Sequence, residues 1–365
     1  MPPLNPPFRA EHIGSLLRPP ELLRAREAHQ AKQLSTAALR EEEDKAIRSV
    51  VAMQEEVGLK VVTDGEFRRS KYTESFTTSG LSGVEIEDVQ SGWSAKAPPG
   101  IPVVTGLIRR QGSTNIESFK FLKSVTKVTP KITLPGPCYI HFRAGRQHID
   151  KVAYPNLSTF WEDLIAAYNA EINSLAQAGC RYLQLDETSF AKFGDPKIRE
   201  SLTARGDPWE ALLEHYIDVM NAVLSAAPSD MRIGMHICRG NSGGGWQASG
   251  GYDTVADKVF RKLKLNFYFL EYDSPRAGGF EPLRRMPDDK VVVLGLVSTK
   301  TGELEPESLL AERVREASKY ISLDRLAISP QCGFASSQGG NPLTTEQEIA
   351  KLRRVVDVSR KFWNE

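Results

Sequence analysis

Cysteine is scarce in this chain of 365 residues. There are four, Cys138, Cys180, Cys238 and Cys332, and no Cys-x-x-Cys pair. That excludes a disulfide framework and makes reduced thiols in a cytoplasmic setting the expectation. Charge of one sign is missing as well: the formal net charge is +1, so nothing in the balance asks for nucleic acid or anionic lipid. No apolar run reaches membrane-spanning length. The N-terminus, Met1-Pro-Pro-Leu-Asn-Pro-Pro-Phe8, lacks the basic region and apolar core of a secretory leader. Gly243-Gly-Gly245 lacks the Gly-Lys-Ser/Thr ending of a phosphate loop and reads as a mobile loop. The expected partners are therefore small molecules, with no nucleic acid and no membrane. The oligomeric state stays open.

What is present is an ordinary globular composition, 40% hydrophobic and 25% charged, arranged in a regular alternation. Eight strand candidates start near residues 8, 59, 131, 181, 231, 265, 290 and 326, most pairs separated by a helical pattern. Leu34 to Val57 reads as an amphipathic helix with Ser35 or Thr36 as N-cap and Gly58 as its stop. Pro208 to Ala226 reads as another, with Asp207 as N-cap. Lys290 to Val297 is a continuous apolar run, as expected for a strand buried on both faces. Alternating strands and helices imply a parallel sheet, and eight units point to an α/β fold of the (β/α)₈ TIM-barrel type. A doubly wound open sheet is the runner-up. Residues 1–365 are expected to form one barrel, with a β-rich insertion after strand two at about 76–115, where Gly, Ser, Thr, Val and Pro dominate.

The chemistry gathers at strand ends. In Ile233-Gly-Met-His-Ile-Cys-Arg-Gly240, His236 and Cys238 are two apart and share a strand face. Glu271 and Cys332 close two further strands. His, Cys, Glu and Cys suit Zn²⁺. The spacing assigns them to strands five, six and eight, which in a closed barrel share one mouth. Asp64, Glu66, Asp186 and Glu187 stand at the exits of strands two and four. Strand alternation puts Asp64 and Glu66 on one face and sets Asp186 opposite Glu187. Glu66 and Asp186 are the expected substrate contacts, suited to an ammonium group. Ile13-Gly-Ser15 offers a hydroxyl and backbone N–H groups for a carboxylate. Cys138 and Cys180 read as structural.

Seven segments together resemble the catalytic half of cobalamin-independent methionine synthases, in a short single-barrel form. They are Ile13-Gly-Ser15, Asp64-Gly-Glu66, Pro135-Gly-Pro137, Leu185-Asp-Glu187, His236-Ile-Cys238, Glu271 in Leu-Glu-Tyr, and Pro330-Gln-Cys-Gly333. The resemblance implies zinc held by His236, Cys238, Glu271 and Cys332. It implies a homocysteine-like thiol bound by Ser15, Glu66 and Asp186, with Ile13 and Ser298 completing the expected contacts and Glu66 and Asp186 serving the chemistry. The reaction class is methyl transfer to sulfur. Two further readings share these residues: a thiol alkyltransferase that opens an epoxide or another electrophile, and a zinc barrel that binds a thiol amino acid without turnover. Two departures concern the donor. Val297 stands where longer members carry a His after strand seven. The loop after strand three reads Cys138-Tyr-Ile-His-Phe-Arg143 where they offer a Trp to the pterin.

Overall fold

The structure is a computed structural model that describes residues 7–88, 100–112 and 114–364. Its strands are β1 (Val61–Val62), β2 (Val84–Glu87), β3 (Ile101–Val104), β4 (Thr129–Pro130), β5 (Ile132–Pro135), β6 (Tyr182–Asp186), β7 (Arg232–Ile237), β8 (Phe267–Glu271), β9 (Val291–Val297) and β10 (Leu326–Pro330). Six of them make one parallel sheet in the order β10-β9-β8-β7-β6-β5. All residues of β5, β6, β8, β9 and β10 are buried, as a parallel sheet covered on both faces requires. The uninterrupted Val291-Val-Val-Leu-Gly-Leu-Val297 run is the clearest case.

Both edges of this sheet are extended by short segments. Ala10 bridges Ile328 of β10 in parallel, with Glu11 N donating to Ile328 O at 2.9 Å and Ile328 N to Arg9 O at 2.9 Å. The residues from Phe8 to Ser15, expected as a strand, thus pair only around Ala10. Pro7 and the bend at Gly14, with φ of 129°, limit the extended run. At the other edge β1 pairs β4 in parallel, and Lys131 N donates to Val62 O at 2.9 Å, carrying the pairing onto β5. Gly14 and β1 meet through the Thr63 hydroxyl, which donates to Gly14 O at 2.6 Å, and through Leu16 N, which donates to Gly65 O at 3.1 Å. A separate apolar cluster is drawn from these segments and from β1, β6, β8, β9 and β10. It includes Phe8, Ile13, Val61, Tyr182, Phe267, Phe269 and Val293.

The helices follow the sequence pattern closely. Thr36–Glu56 starts at Ser35, whose hydroxyl accepts from Ala38 N at 3.1 Å. Thr345–Trp363 opens with a reciprocal capping box between Thr344 and Gln347. Asp207 does not cap the helix that follows it. That helix is Trp209–Leu224 with Pro208 at the cap position, and the Asp207 carboxylate accepts from Arg205 at 2.7 Å instead. In the 76–115 region β2 and β3 form an antiparallel hairpin. It is flanked by a π-helical turn, Glu74–Thr78, and by the start of the helix Thr114–Val125. Residues 89–99 and 113 of the expected insertion lie outside the described residues. Among the described residues no helix is long and apolar enough to cross a membrane.

Glu348, buried in the first turn of Thr345–Trp363, accepts Leu17 N at 2.8 Å. Burial pushes its carboxyl from an ordinary 4.5 up to about 8. The folded state then holds a proton that the unfolded chain gives up, so this group's contribution to stability is full below about pH 4.5 and is lost as pH rises through about 8. Glu348→Gln keeps the acceptor and removes the titration. Thermal melts from pH 5 to 8.5 should show a shallower loss of stability in the variant than in the wild type. Parallel curves would show that Glu348 is not the group responsible.

Candidate active site and metal centre

The strand β7 ends in the sequence His236-Ile-Cys238. Pleating puts both side chains on one face, and both are buried. Cys332 stands two residues past the end of β10. The three bring their ligand atoms within 4.8 Å of one another, the one group of three or more His, Cys, Asp or Glu side chains so arranged among the described residues. His236 Nε2 lies 3.3 Å from Cys332 Sγ. Ligand atoms ~2.0–2.3 Å from a common centre are about 3.3–3.8 Å apart in a tetrahedron, so one nitrogen and two sulfurs at this spacing fit a metal such as zinc. The Cys238 thiol is held well below its ordinary range, first by its hydrogen bond with Cys332 and then, against burial, by His236. Cys332 is pushed correspondingly up by Cys238 and by burial.

Glu271 closes β8 as expected, but it is not among the grouped ligand atoms. Its Oε1 accepts from Arg276 at 2.8 Å and Lys300 at 3.2 Å, and its Oε2 accepts from Arg239 N at 2.6 Å. Burial opposes its charge; Lys300, Arg239 and Arg276 overcome that and hold the carboxyl down at about 2. It is a permanent carboxylate beside the cluster.

A cavity of about 280 Å³ opens over the cluster. Its walls include Ile13, Ser15, Glu66, Asp186, His236, Cys238 and Cys332. This is near the lower end of the ~300–1,000 Å³ usual for ligand pockets. Each wall residue has a local reason to be there. Ser15 sits against Gly333, where a Cβ would come within 1.9 Å of the Ser15 hydroxyl; glycine after Cys332 is what lets the two segments meet. Glu66 reaches the cavity from a turn rather than a strand, since β1 ends at Val62. Its φ is 63°, a left-handed conformation costing a non-glycine residue about 1–3 kcal/mol. Asp64 Oδ1 accepts Glu66 N at 2.9 Å, and Arg18 clamps Glu66 O at 2.8 Å and Arg69 O at 2.7 Å. Asp64 thus builds the turn that presents Glu66, and does not line the cavity.

Glu66 Oε1 accepts from Thr133 at 2.9 Å and pairs with Arg69 at 2.7 Å, while Oε2 is buried without a hydrogen-bond partner. Asp186 Oδ1 accepts from Gln184 at 2.7 Å. Burial pushes the Asp186 carboxyl up to about 7, against the pull of His236 and with Glu66 adding to the rise. Glu187 points elsewhere. It accepts Cys138 N at 2.9 Å and Ser189 N at 3.1 Å, pinning the turns after β5 and β6. Ser298 is not part of the cavity wall; its hydroxyl donates to Asp273 at 3.0 Å and its N to Glu305 at 2.7 Å. Cys138 and Cys180 are buried away from the cluster, their sulfurs 3.8 Å from Tyr216 O and 3.4 Å from Tyr182 O.

Several wall residues had no signal in the sequence: Tyr72, Tyr139, Arg143, Lys192, Asn241 and Gln247. All stand on turns or short helices beyond strand ends. The tendency of parallel α/β sheets to build sites from those connections is the one cue that points to them.

Comparison with known proteins gives a consistent picture. A family model for the cobalamin-independent synthase catalytic domain matches residues 8–361. The YxjH protein of Bacillus subtilis is 41% identical, over 98% of this chain and 95% of its own length. The 5-methyltetrahydropteroyltriglutamate–homocysteine methyltransferase of Thermosynechococcus vestitus is 24% identical over 100% of this chain but only 44% of its own length. This chain therefore spans less than half of that enzyme. Among solved structures, a Listeria monocytogenes protein assigned as a vitamin-B12-independent methionine synthase has a TM-score of 0.77 at 35% identity, covering 98% of this chain and 99% of the other. The α/β fold is of the TIM-barrel type seen in that structure. Matched along nearly all of its length, the chain belongs to the cobalamin-independent methionine synthase family.

Proposed function

We propose that this chain is a zinc-dependent S-methyltransferase that transfers a methyl group from a small-molecule donor to homocysteine or a close thiol relative. We take residues 1–365 as one closed (β/α)₈ barrel, the Ala10 segment and β1 being the two strands that complete the ring. The observation that carries the reading is the His236–Cys238–Cys332 group at the base of a cavity that also presents Glu66 and Asp186. Family membership and the methyltransferase relative support it.

Zinc held by these three side chains would supply Lewis acidity, moving a thiol that ordinarily ionises near ~8.5 toward thiolate at neutral pH. The protein does the rest. Three protein ligands and a free fourth position are the pattern of a catalytic site. Glu271 would hold that fourth position only loosely, because Arg239, Arg276 and Lys300 already engage its carboxylate and keep it ionised. Glu66 Oε2 and Asp186 take the substrate ammonium, and the Ile13-Gly-Ser15 turn takes its carboxylate. These contacts fix the sulfur for in-line attack on the methyl group. With its carboxyl raised to about 7 by burial, Asp186 can give up a proton as the substrate ammonium arrives. Working thiols at Cys238 and Cys332 require a reducing compartment, which favours the cytoplasm.

Homocysteine binding should release a proton. Calorimetry of the zinc-loaded protein at about pH 8, above the Asp186 carboxyl at about 7, in two buffers of different ionisation enthalpy measures it directly. An enthalpy independent of buffer would mean that the thiol binds without ionising, and the mechanism would fail. Turnover with a methyl donor then separates an enzyme from a thiol-binding barrel.

A further inference from the structure

We propose that Thr299 is a positioning residue for the metal centre. It holds the turn that carries Cys332 against the turn that follows Cys238, and so sets the spacing of the two sulfurs. The inference rests on the metal reading above and adds to it the groups that keep the ligands in place.

The need for such a device follows from the sheet order. β8 and β9 lie between β7 and β10, so the two strands that lead to the cysteines do not pair directly. Both cysteines also stand beyond their strands, which end at Ile237 and Pro330. Ladder hydrogen bonds no longer fix a position there. Yet the two sulfurs and a His236 nitrogen lie within 4.8 Å of one another. The β7 and β10 turns have to be tied together across the exit of β9.

Thr299 stands at that exit, two residues past the end of β9 at Val297, and is fully buried. Toward β10, its N donates to Gln331 Oε1 at 2.9 Å and its hydroxyl donates to the same oxygen at 2.7 Å. Gly333 O lies 3.1 Å from that hydroxyl. Thr299 thus touches both chain neighbours of Cys332. Toward β7, the hydroxyl accepts from Asn241 Nδ2 at 3.1 Å, and Asn241 lies three residues on from Cys238. The same Asn241 nitrogen reaches Gly333 O at 3.4 Å. Asn341 closes the arrangement. Its Nδ2 donates to Thr299 O at 2.8 Å and to Gly333 O at 3.3 Å, and its Oδ1 accepts Gly244 N, from the turn after β7, at 3.2 Å.

Polar side chains are an expensive filling for this space. Thr299, Gln331, Asn241 and Asn341 are all buried, and Asn241 Oδ1 and Gln331 Nε2 are left without a hydrogen-bond partner. Apolar groups of the same shape would pack there without that loss. A hydrogen-bonded network gives in return one fixed arrangement, because its bonds have preferred lengths and directions. A metal site needs that, since its ligand distances must be right to within about 0.2 Å. A clasp that served the fold alone would change stability and leave metal affinity untouched, so the two roles are separable.

The test compares Thr299→Val, which keeps the shape and removes the hydroxyl, with Thr299→Ser, which keeps the hydroxyl. Zinc affinity of the full-length protein is read by competition with a chromophoric chelator. The geometry of the site is read from the absorption of Co²⁺ bound in its place. Thr299→Val should lose about tenfold to a hundredfold in zinc affinity, the range usual for groups that orient metal ligands from outside the coordination sphere. Its cobalt bands should weaken or shift. Thr299→Ser should bind zinc as wild type does, with wild-type bands. Urea melts of the metal-free proteins give the structural cost separately. If Thr299→Val does not fold, Gln331→Met carries the test in its place with the same expected loss, because it removes the oxygen that Thr299 grips. A variant that is less stable without metal but binds zinc as tightly as wild type overturns the proposal. So does a Thr299→Ser protein as weak as Thr299→Val. A wild type that takes up neither zinc nor Co²⁺ sinks the metal reading itself.

Discussion

Cys238→Ser and Cys332→Ser should each strip the protein of its metal and abolish methyl transfer. The size of the effect follows from the ligand count. Structural zinc sites of four ligands bind with apparent free energies of about 10–16 kcal/mol. One ligand's share is therefore about 2.5–4 kcal/mol, or roughly 10²–10³ in affinity. Ser is a poor replacement because its hydroxyl stays protonated where the Cys238 sulfur ionises readily. Metal content after dialysis against a weak chelator reads the affinity. X-ray absorption on the wild type should find two sulfurs at about 2.3 Å.

Cys138→Ser and Cys180→Ser are the controls. Burial pushes the Cys138 thiol well up and Cys180 to about 12, so neither offers a thiolate. Their replacement should leave zinc in place and cost only packing. A wild-type protein with no sulfur around its zinc, or a Cys238→Ser variant that keeps full occupancy, would remove the metal centre from this reading.

The contrast between the four cysteines shows what a sequence discloses and what it withholds. Cys238 was legible because pleating alone puts it beside His236, and Cys332 because it stands just beyond the end of a β-strand. Backbone periodicity carries both statements. The ordered alternation of strands and helices was legible for the same reason, down to the capping of Thr36–Glu56 by Ser35.

What escaped was set by contacts distant in sequence or by turns without a period. Glu271 looked like an ordinary fourth ligand; the cations that occupy it arrive from Arg239, Arg276 and Lys300, on three different connections. Glu66 was read by strand alternation, yet a left-handed residue in an Asp64-braced turn presents it. Ser298 lies next to a strand end, and Asp273 claims its hydroxyl. Arg143 and Lys192 lie in short helices whose phase nothing in the sequence fixes. Asp207 resembled an N-cap, but the adjacent Arg205 is a stronger partner for its carboxylate than a backbone amide.

Glu66→Gln should weaken homocysteine binding about 10- to 150-fold while leaving the zinc content unchanged. Oε1 of Glu66 is already committed to Thr133 and Arg69, and Oε2 is buried with no partner of its own. A buried acceptor left open in this way is costly to the fold. The cost makes sense if a donor arrives with the substrate. The ammonium of an amino acid is such a donor, and a hydrogen bond between charged groups contributes about 1.5–3 kcal/mol. Gln keeps the length and an acceptor for Thr133 but turns one oxygen into an NH₂, which repels an ammonium.

The change also removes the ion pair with Arg69, so a lower melting temperature is expected and is not itself diagnostic. The diagnostic comparison uses a homocysteine analogue lacking the amino group. Wild type should bind it at least as weakly as Glu66→Gln binds homocysteine, because Asp186 loses its ammonium partner as well. Glu66→Gln should bind it as well as wild type does, because the interaction can be lost only once. If the amino group matters equally to both proteins, Glu66 is not its ligand, and Asp186 must hold the ammonium alone.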